Sequence, residues 1–189
     1  MTLMLALLPT LGWAAPQTDE LGANDQENVG QNAFKLDTFS VNIPVDLDNF
    51  EVFLEPDQPG NEATFALYEQ GGGAGIAWTL IWDSGPLVTS MGAGFKSSGT
   101  VNVTLDAGNT YAIGVYLDDD HQYGWENNGN GGLNLGWGVV EGTFFAFNDS
   151  IPGGVPDEIR WNDGSESNDL YHMRITVNLP EDSDGDGFN

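Results

Sequence analysis

The sequence contains no cysteine, which excludes disulfide bridges, thiol catalysis and thiolate metal sites. Basic residues are almost as rare. Only Lys35, Lys96, Arg160 and Arg174 stand against 29 acidic residues, and the net charge is −25. Binding to nucleic acid or to anionic lipid requires a basic patch, so neither is expected as a partner. The acid excess favours bound cations, calcium foremost, or plain solubility in a salty environment that screens self-repulsion.

Residues typical of catalytic motifs are also scarce. The only histidines are His121 and His172, and the chain has neither a Gly-x-Ser-x-Gly nor a His-Glu-x-x-His motif. These absences favour a non-enzymatic function. A glycosidase needs only a pair of carboxylates, so a glycoside-active enzyme stays open as a third hypothesis beside the two developed below.

The first 32 residues are interpreted as two segments that precede the folded domain. Residues 1–15 are apolar and end in small residues, which is typical of a signal peptide, and they are short for a membrane span. A hydrophobic N-terminal strand is the alternative. Residues 16–32 are polar, acidic and rich in glycine and asparagine, which predicts a disordered linker. The mature chain is therefore expected to be secreted and not inserted in a membrane.

Residues 33–180 show short alternating runs separated by Gly, Pro, Asn and Asp clusters. This pattern predicts an all-β domain, a single antiparallel β-sandwich of jelly-roll type. Residues 99–105 and 111–117 flank a tight turn at residues 106–109 and are predicted to form a hairpin. Trp78, Leu80 and Trp82 are predicted to share one strand face. The other residues expected to face inward are Phe50, Val52, Leu54, Phe65, Leu67, Val103, Leu105, Ile113, Val115, Met173 and Ile175.

One stretch of this domain resembles known modules. Residues 101–115 contain a strand that ends in Leu-x-Ala-Gly-x-Thr-Tyr and returns as an alternating strand. This resembles jelly-roll modules of secreted bacterial proteins, including carbohydrate-binding and pre-peptidase-type modules. Residues 65–69 and 79–85 look similar to the same modules. The resemblance implies a secreted or cell-surface module and fixes no ligand, because sandwiches carry many functions.

The C-terminal segment, residues 181–189, contains Asp182, Asp184 and Asp186 at alternate positions, followed by Gly187. This spacing matches the first half of a calcium loop of EF-hand geometry, without the closing acidic ligand. The segment resembles the start of a thrombospondin type 3 repeat, and such repeats form calcium-stiffened stalks in bacterial surface proteins. The resemblance implies calcium as cofactor and a location at the bacterial cell surface. A flexible acidic tail is the alternative interpretation.

A second acidic cluster lies inside the domain. Asp118, Asp119 and Asp120 follow a predicted strand and precede His121. Their oxygens are suitable calcium ligands, so the cluster is a candidate metal site. The alternative is a solvated turn, which aspartate-rich loops commonly form.

Aromatic residues in polar loops form the candidate ligand site. Flat aromatic faces stack on sugar rings, and neighbouring amides bond sugar hydroxyls. Trp137 is equally compatible with core packing. The candidate ligand-binding residues are Tyr123, Trp125, Asn127, Trp137 and Trp161.

Two main hypotheses follow. The first is a secreted or cell-surface module that binds glycans or polysaccharide, or mediates adhesion, with associated calcium. The second is a purely structural domain of a surface stalk or appendage.

Overall fold

A computed structural model describes residues 16–71, 76–127, 132–147 and 154–180. Within these ranges the chain is all-β, which confirms the predicted fold class. The strands are β1 (Gln17–Leu21), β2 (Gln26–Gly30), β3 (Ala33–Val41), β4 (Val45–Pro56), β5 (Glu62–Gln70), β6 (Ile76–Val88), β7 (Gly94–Ser97), β8 (Val103–Leu105), β9 (Thr110–Leu117), β10 (His121–Glu126), β11 (Leu133–Asn134), β12 (Gly138–Phe147), β13 (Glu158–Arg160), β14 (Gly164–Ser167), β15 (Leu170–Tyr171) and β16 (Met173–Asn178).

The strands form two antiparallel sheets that pack into a sandwich. The first sheet has the order β1-β16-β4-β10-β15, with β2 on β10 and with β7 and β8 on β4. The second has the order β11-β12-β3-β9-β5-β6-β13, with β14 on β12. This arrangement is compatible with a jelly roll. No helical segment long and apolar enough to cross a bilayer occurs within the described residues.

The main core lies between the two sheets, where period-two alternation points one face of each strand inward. Each large apolar side chain buried there contributes about 1.5–3 kcal/mol to folding. Every residue predicted to face inward belongs to this cluster or packs against it, with the exception of Trp78 and Leu80 of β6.

Strand β6 carries a bulge that the alternation pattern does not show. Leu67 pairs with Trp82, but the next residue, Tyr68, pairs with Leu80, so β6 has one extra residue at this point. A bulge of this kind reverses the faces on either side of it. Trp82 therefore packs against the main core, whereas Trp78 is buried in a second cluster. The prediction that Trp78, Leu80 and Trp82 share one face is wrong for this reason.

The second apolar cluster lies on the outer face of the second sheet. On β3, Phe34 and Leu36 belong to this outer cluster. Phe39 points to the opposite face of the strand and belongs to the main core. Ile159 of β13 also belongs to this cluster, and Val155 packs against it. The second sheet is thus apolar on both faces over part of its width.

The predicted hairpin is instead a corner between the two sheets. Strand β8 pairs with β4 in the first sheet, and β9 pairs with β3 and β5 in the second. The Tyr111 hydroxyl accepts a hydrogen bond of 2.9 Å from the Asp106 backbone N–H across this corner. Gly108 has φ +86, which favours glycine. Alternation shows which residues face inward but not which strand is the neighbour, so the hairpin prediction was wrong.

The segment predicted as a linker contains two paired strands. Strand β1 pairs with β16 along its whole length, and Leu21 at its end is completely buried. Strand β2 pairs with β10. Polar residues are compatible with these strands because their outward faces are solvated, so low hydrophobicity did not indicate disorder here. Residues 1–15 and 181–189 lie outside the described ranges, so the signal peptide and the acidic C-terminal segment stay predictions.

Candidate functional site

A cleft opens between the two sheets and is lined mainly by aromatic side chains. Strand β10 contributes Tyr123 and Trp125, and Trp125 pairs directly with Tyr171 of β15. From the second sheet, Phe145 of β12 lies opposite Lys35 of β3. The cleft has a volume of about 180 Å³. We call it the aromatic cleft, and its lining residues are Asn28, Lys35, Tyr123, Trp125, Phe145, Asp169 and Tyr171.

Lys35 lies among these rings although it is only 3% exposed. Its Nζ is 4.6 Å from the ring centroid of Tyr123, 5.5 Å from that of Phe145 and 5.8 Å from that of Tyr171. An ammonium group at these distances is attracted by the negative faces of the rings. Burial nevertheless disfavours the charged form and lowers the pKa of Lys35 to about 8. The cleft therefore contains a cation that is close to losing its charge.

A pH titration of the two lysines tests this environment. We expect the Lys35 side chain to titrate near pH 8 when both lysines are followed by NMR of ¹³C-labelled lysine. Burial also lowers the pKa of Lys96, and the charge of Glu55 opposes that shift. Because the folded pKa of Lys35 lies below the ordinary 10.5, the unfolded chain binds more protons between these values, and stability should rise with pH there. Lys35→Met assigns the signal by removing it. Two lysines titrating together near 10.5 would contradict the buried placement.

The Trp125 side chain provides an unused hydrogen-bond donor. Its ring is half-buried, and its Nε1 is buried without a hydrogen-bond partner in the described part of the chain. Buried polar groups in proteins are nearly always paired, and an indole N–H can only donate. An acceptor supplied by a bound molecule would satisfy this group.

The two tyrosines of the cleft remain neutral hydroxyl groups. Their rings meet edge to face, with centroids 5.7 Å apart. Burial raises the pKa of Tyr123, against the effect of a hydrogen bond with Asn28. Burial is also the largest cause of the raised pKa of Tyr171, and the nearby carboxylates of Asp37 and Asp169 add to it. Both hydroxyls can therefore donate as well as accept hydrogen bonds.

Asp37 connects β3 to β15 behind the aromatic cleft. It lies on the same inward face of β3 as Lys35 and is completely buried. Its Oδ1 accepts a hydrogen bond of 3.0 Å from the backbone N–H of Tyr171, which ties β15 to the second sheet. Its Oδ2 is buried without a partner among the described residues. Burial raises the pKa of Asp37 well above its ordinary value. Asp37 is therefore a positioning residue for one wall of the cleft.

The structure assigns Trp137 to the core. The side chain is completely buried, and its ring meets Phe39 edge to face at 5.4 Å. Its Nε1 donates a hydrogen bond of 2.8 Å to Oδ2 of Asp19 in β1. Trp137 is therefore inaccessible to a ligand, contrary to its inclusion among the candidate binding residues.

The other predicted ligand residues are not brought together. Asn127 is exposed just after β10, and Trp161 is 43% exposed on the opposite side of the second sheet, where its ring lies 6.2 Å from that of Trp78. Of the predicted set, only Tyr123 and Trp125 line the cleft. The sequence analysis missed the remaining lining residues, which come from four other places in the chain. The sequence did contain one signal for the cleft. Lys35 lies within a strand of buried residues, which is an unusual position for a lysine.

The carboxylates of the Asp118–Asp120 cluster point to different partners. Oδ2 of Asp118 accepts a hydrogen bond from the Thr64 hydroxyl, and Oδ2 of Asp119 accepts one from the Glu62 backbone N–H, both at 2.8 Å. Asp120 is exposed. These bonds fasten the turn to β5, as expected for aspartates that cap a turn.

His121 completes the same turn. It is completely buried, with Nδ1 2.9 Å from the carbonyl oxygen of Asp119 and Nε2 2.9 Å from the hydroxyl of Thr89. Across the described ranges no three His, Cys, Asp or Glu side chains are grouped so that they could hold a metal ion. Calcium binding at Asp118, Asp119 and Asp120 thus gains no support from the geometry. Asp182, Asp184 and Asp186 lie outside the described ranges.

No protein-family model matches this sequence, and no curated protein is significantly similar to it. The class of the protein is therefore defined by its fold and its site. It is an all-β sandwich with an aromatic cleft between its two sheets.

Proposed function

We propose that this protein is a secreted or cell-surface, non-enzymatic module of a bacterium that binds a glycan in the aromatic cleft. The observation that carries the proposal is the meeting of four aromatic rings from both sheets around a cleft lined by Trp125, whose indole N–H has no hydrogen-bond partner among the described residues. Aromatic faces cover the apolar face of a sugar ring, while donors and acceptors at the rim bond its hydroxyls.

The size of the cleft limits what it can hold. Its volume of about 180 Å³ is below the roughly 300–1,000 Å³ of sites for drug-sized ligands. One sugar ring, at the end of a chain or as a branch, suits this space better than an extended oligosaccharide. Asn28 and Lys35 supply donors at the cleft, and Asp169 supplies acceptors, so neutral hydroxyl groups can be bonded on several sides.

Secretion and calcium belong to the proposal through the two terminal segments. The proposed signal peptide would export the chain, and the proposed thrombospondin type 3 repeat would bind calcium through Asp182, Asp184 and Asp186. The net charge of −25 supports an extracellular setting in which divalent cations are abundant. The likeness to carbohydrate-binding and pre-peptidase-type modules agrees with this picture at the level of the fold.

Trp125→Ala tests the cleft. We expect it to weaken binding of the recognised glycan about tenfold or more, because it removes both a stacking surface and a hydrogen-bond donor. Trp125→Phe keeps the stacking surface and should lose less. Binding is measured on a glycan array and then by calorimetry with the glycan that binds.

Met91→Ala serves as the control, because Met91 is 54% exposed and does not line the cleft. Wild-type affinity in Trp125→Ala would disprove the cleft as the site. Failure of the wild-type protein to bind any glycan would favour the alternative, a purely structural domain of a stalk or appendage. Hydrolysis of a glycan would instead revive the enzyme hypothesis.

A further inference from the structure

A polar groove lies on the outer face of the second sheet, on the side away from the main core. It has a volume of about 570 Å³, more than that of the aromatic cleft. None of the residues predicted to bind a ligand lines it. Its wall and floor include Thr38, Gln70, Trp78, Thr110, Glu141 and Glu166.

Strand alternation and a bulge build this groove. Thr38 of β3 and Thr110 of β9 point outward because their neighbours Phe39 and Tyr111 face the main core. The register of β12 against β3 shifts between Val140 and Gly142, which places Glu141 at a bulge. Bulges commonly redirect a side chain at a site.

A second glutamate comes from the neighbouring strand. Glu166 lies on β14 and pairs with Phe144 of β12. Glu166 is exposed, so its carboxylate is accessible to a ligand. Oε1 of Glu141 accepts a hydrogen bond of 2.8 Å from the Ser40 hydroxyl, and each carboxylate oxygen has more than one lone pair available. Both glutamates can accept hydrogen bonds from ligand hydroxyls.

Trp78 gives the groove an unsatisfied donor. The side chain is only 1% exposed, it lines the groove, and its Nε1 has no hydrogen-bond partner among the described residues. A buried donor without a partner is rare and unfavourable, because burial has removed its hydrogen bond to water. Trp161, 43% exposed, lies against this ring and extends the aromatic surface outward.

The chemistry of the groove selects among ligands. Its residues offer two carboxylates, the Thr110 hydroxyl, side-chain amides and an indole N–H, and no basic residue is among them. The hydroxyls of Thr38 and Thr143 already donate to the carbonyl oxygens of Gly142 and Ser167. Anionic ligands are disfavoured by the two carboxylates and by the net charge of −25. Two carboxylates fall short of the six to eight oxygen ligands that calcium takes, and no three-residue metal group exists in the described ranges. A neutral, hydroxyl-rich chain fits the donors and acceptors present.

We infer that this groove is a second carbohydrate site, which holds several rings of a neutral sugar chain. Its volume falls within the roughly 300–1,000 Å³ range of ligand sites. The inference goes beyond the proposed function, because it uses no residue of the aromatic cleft. A protein with both sites would hold a terminal ring in the cleft and a chain segment in the groove, and would gain avidity on a polysaccharide surface.

Calorimetry on the full chain tests the groove. The probes are neutral hexasaccharides of β-linked glucose, mannose, xylose and N-acetylglucosamine, with hexagalacturonate as the anionic counterpart. We expect at least one neutral hexasaccharide to bind and hexagalacturonate to bind at least tenfold more weakly. Glu166→Gln keeps the side-chain shape and should weaken binding about tenfold, because a charged acceptor becomes neutral.

Two further variants keep the test independent of folding. Trp78→Phe retains a buried ring but loses the N–H, and should also weaken binding about tenfold. Glu166 is exposed, so Glu166→Gln remains informative if Trp78→Phe perturbs packing. Met91→Ala is the control and should leave hexasaccharide binding unchanged, because Met91 is exposed and lines neither the groove nor the cleft. Trp125→Ala should remove only the contribution of the cleft, so the binding that it retains is binding in the groove.

The outcomes separate the two sites. Weaker hexasaccharide binding in Glu166→Gln and Trp78→Phe, with binding unchanged in Met91→Ala and still detectable in Trp125→Ala, supports the groove. Loss in Trp125→Ala alone supports the cleft and overturns the groove. The inference is also overturned if no neutral hexasaccharide binds, or if hexagalacturonate binds as tightly as the neutral chains.

Discussion

Gly114→Ala is expected to lower the free energy of unfolding by more than about 4 kcal/mol, enough to unfold much of the protein. Gly114 lies on β9, in the middle of the second sheet, where it pairs with Leu36 on one side and Ala66 on the other. A Cβ atom added there would lie 2.0 Å from the carbonyl oxygen of Lys35 and 3.0 Å from the Cα of Leu36. Both are backbone atoms of a paired strand, so neither can move aside alone.

The clash matters for the cleft as well as for the fold. The carbonyl that a methyl group would displace belongs to Lys35, whose side chain lies in the aromatic cleft. Any shift of β3 that relieves the contact would move the side chain of Lys35. It would also move the buried Asp37, which lies two residues further along the same strand. Partly folded Gly114→Ala should therefore also lose the Lys35 titration near pH 8.

Gly85→Ala is the matched control. Gly85 has φ +62, and an added Cβ would meet no atom within 4 Å. Gly85→Ala should lower the free energy of unfolding by only about 1–2 kcal/mol, because alanine is strained in the left-handed backbone conformation. Urea unfolding followed by circular dichroism compares the two variants. Equal losses in Gly114→Ala and Gly85→Ala would show that β3 and β9 adjust freely and that close approach is not what requires glycine.

The core of this protein could be predicted from the sequence, because strand alternation is a local property. Phe50, Val52 and Leu54 occupy alternate positions of β4, and all three are buried in the main core. The inward direction of a side chain depends only on its place in the pleat. The same reasoning failed at β6, where an inserted residue reverses the faces and separates Trp78 from Trp82.

Strand partners could not be predicted in the same way. The turn at residues 106–109 is compatible both with a hairpin and with a corner between sheets. Its flanking strands belong to different sheets, because β8 joins β4 while β9 is inserted between β3 and β5. The polar strands β1 and β2 were likewise invisible to a hydrophobicity argument, since their pairing with β16 and β10 is a long-range contact.

The aromatic cleft was half predicted for a related reason. Tyr123 and Trp125 were recognised by composition, but the residues that meet them are distant in the chain, from Asn28 and Lys35 to Tyr171. Trp137 resembles Trp125 in the sequence, because a glycine precedes each of them. Only its packing on Phe39 and its hydrogen bond to Asp19 show that Trp137 belongs to the core. Burial, which decides whether a tryptophan can bind a ligand, is a tertiary property.

Asp37→Asn is expected to stabilise the protein at neutral pH by about 1–3 kcal/mol. The pKa of the completely buried Asp37 is raised well above its ordinary value by burial, against a smaller opposite effect of the Tyr171 hydrogen bond. At neutral pH the folded state must therefore either take up a proton or keep a charge away from water. Asparagine carries no charge, and its Oδ1 can still accept the Tyr171 N–H.

The sign of the pH dependence follows from the direction of the shift. Between the ordinary carboxyl pKa and the raised folded pKa, the folded state binds more protons than the unfolded chain, so wild-type stability falls as pH rises through this window. Below the ordinary pKa both states are protonated and the penalty disappears. The advantage of Asp37→Asn should therefore be small at pH 3.5 and should grow toward pH 7.

Comparison of variants isolates this effect from the repulsion among the other acidic residues, which also changes with pH. Asp57→Asn removes the charge of an exposed aspartate and is the control for net charge. Urea unfolding of the wild type and both variants at pH 3.5, 5 and 7 gives, at each pH, the difference in unfolding free energy between each variant and the wild type. If Asp37→Asn instead destabilises the protein, and does so more at pH 7 than at pH 3.5, the buried carboxylate has a strong partner in the folded state. Its place behind Tyr171 would then be a stabilising contact that also sets the wall of the cleft.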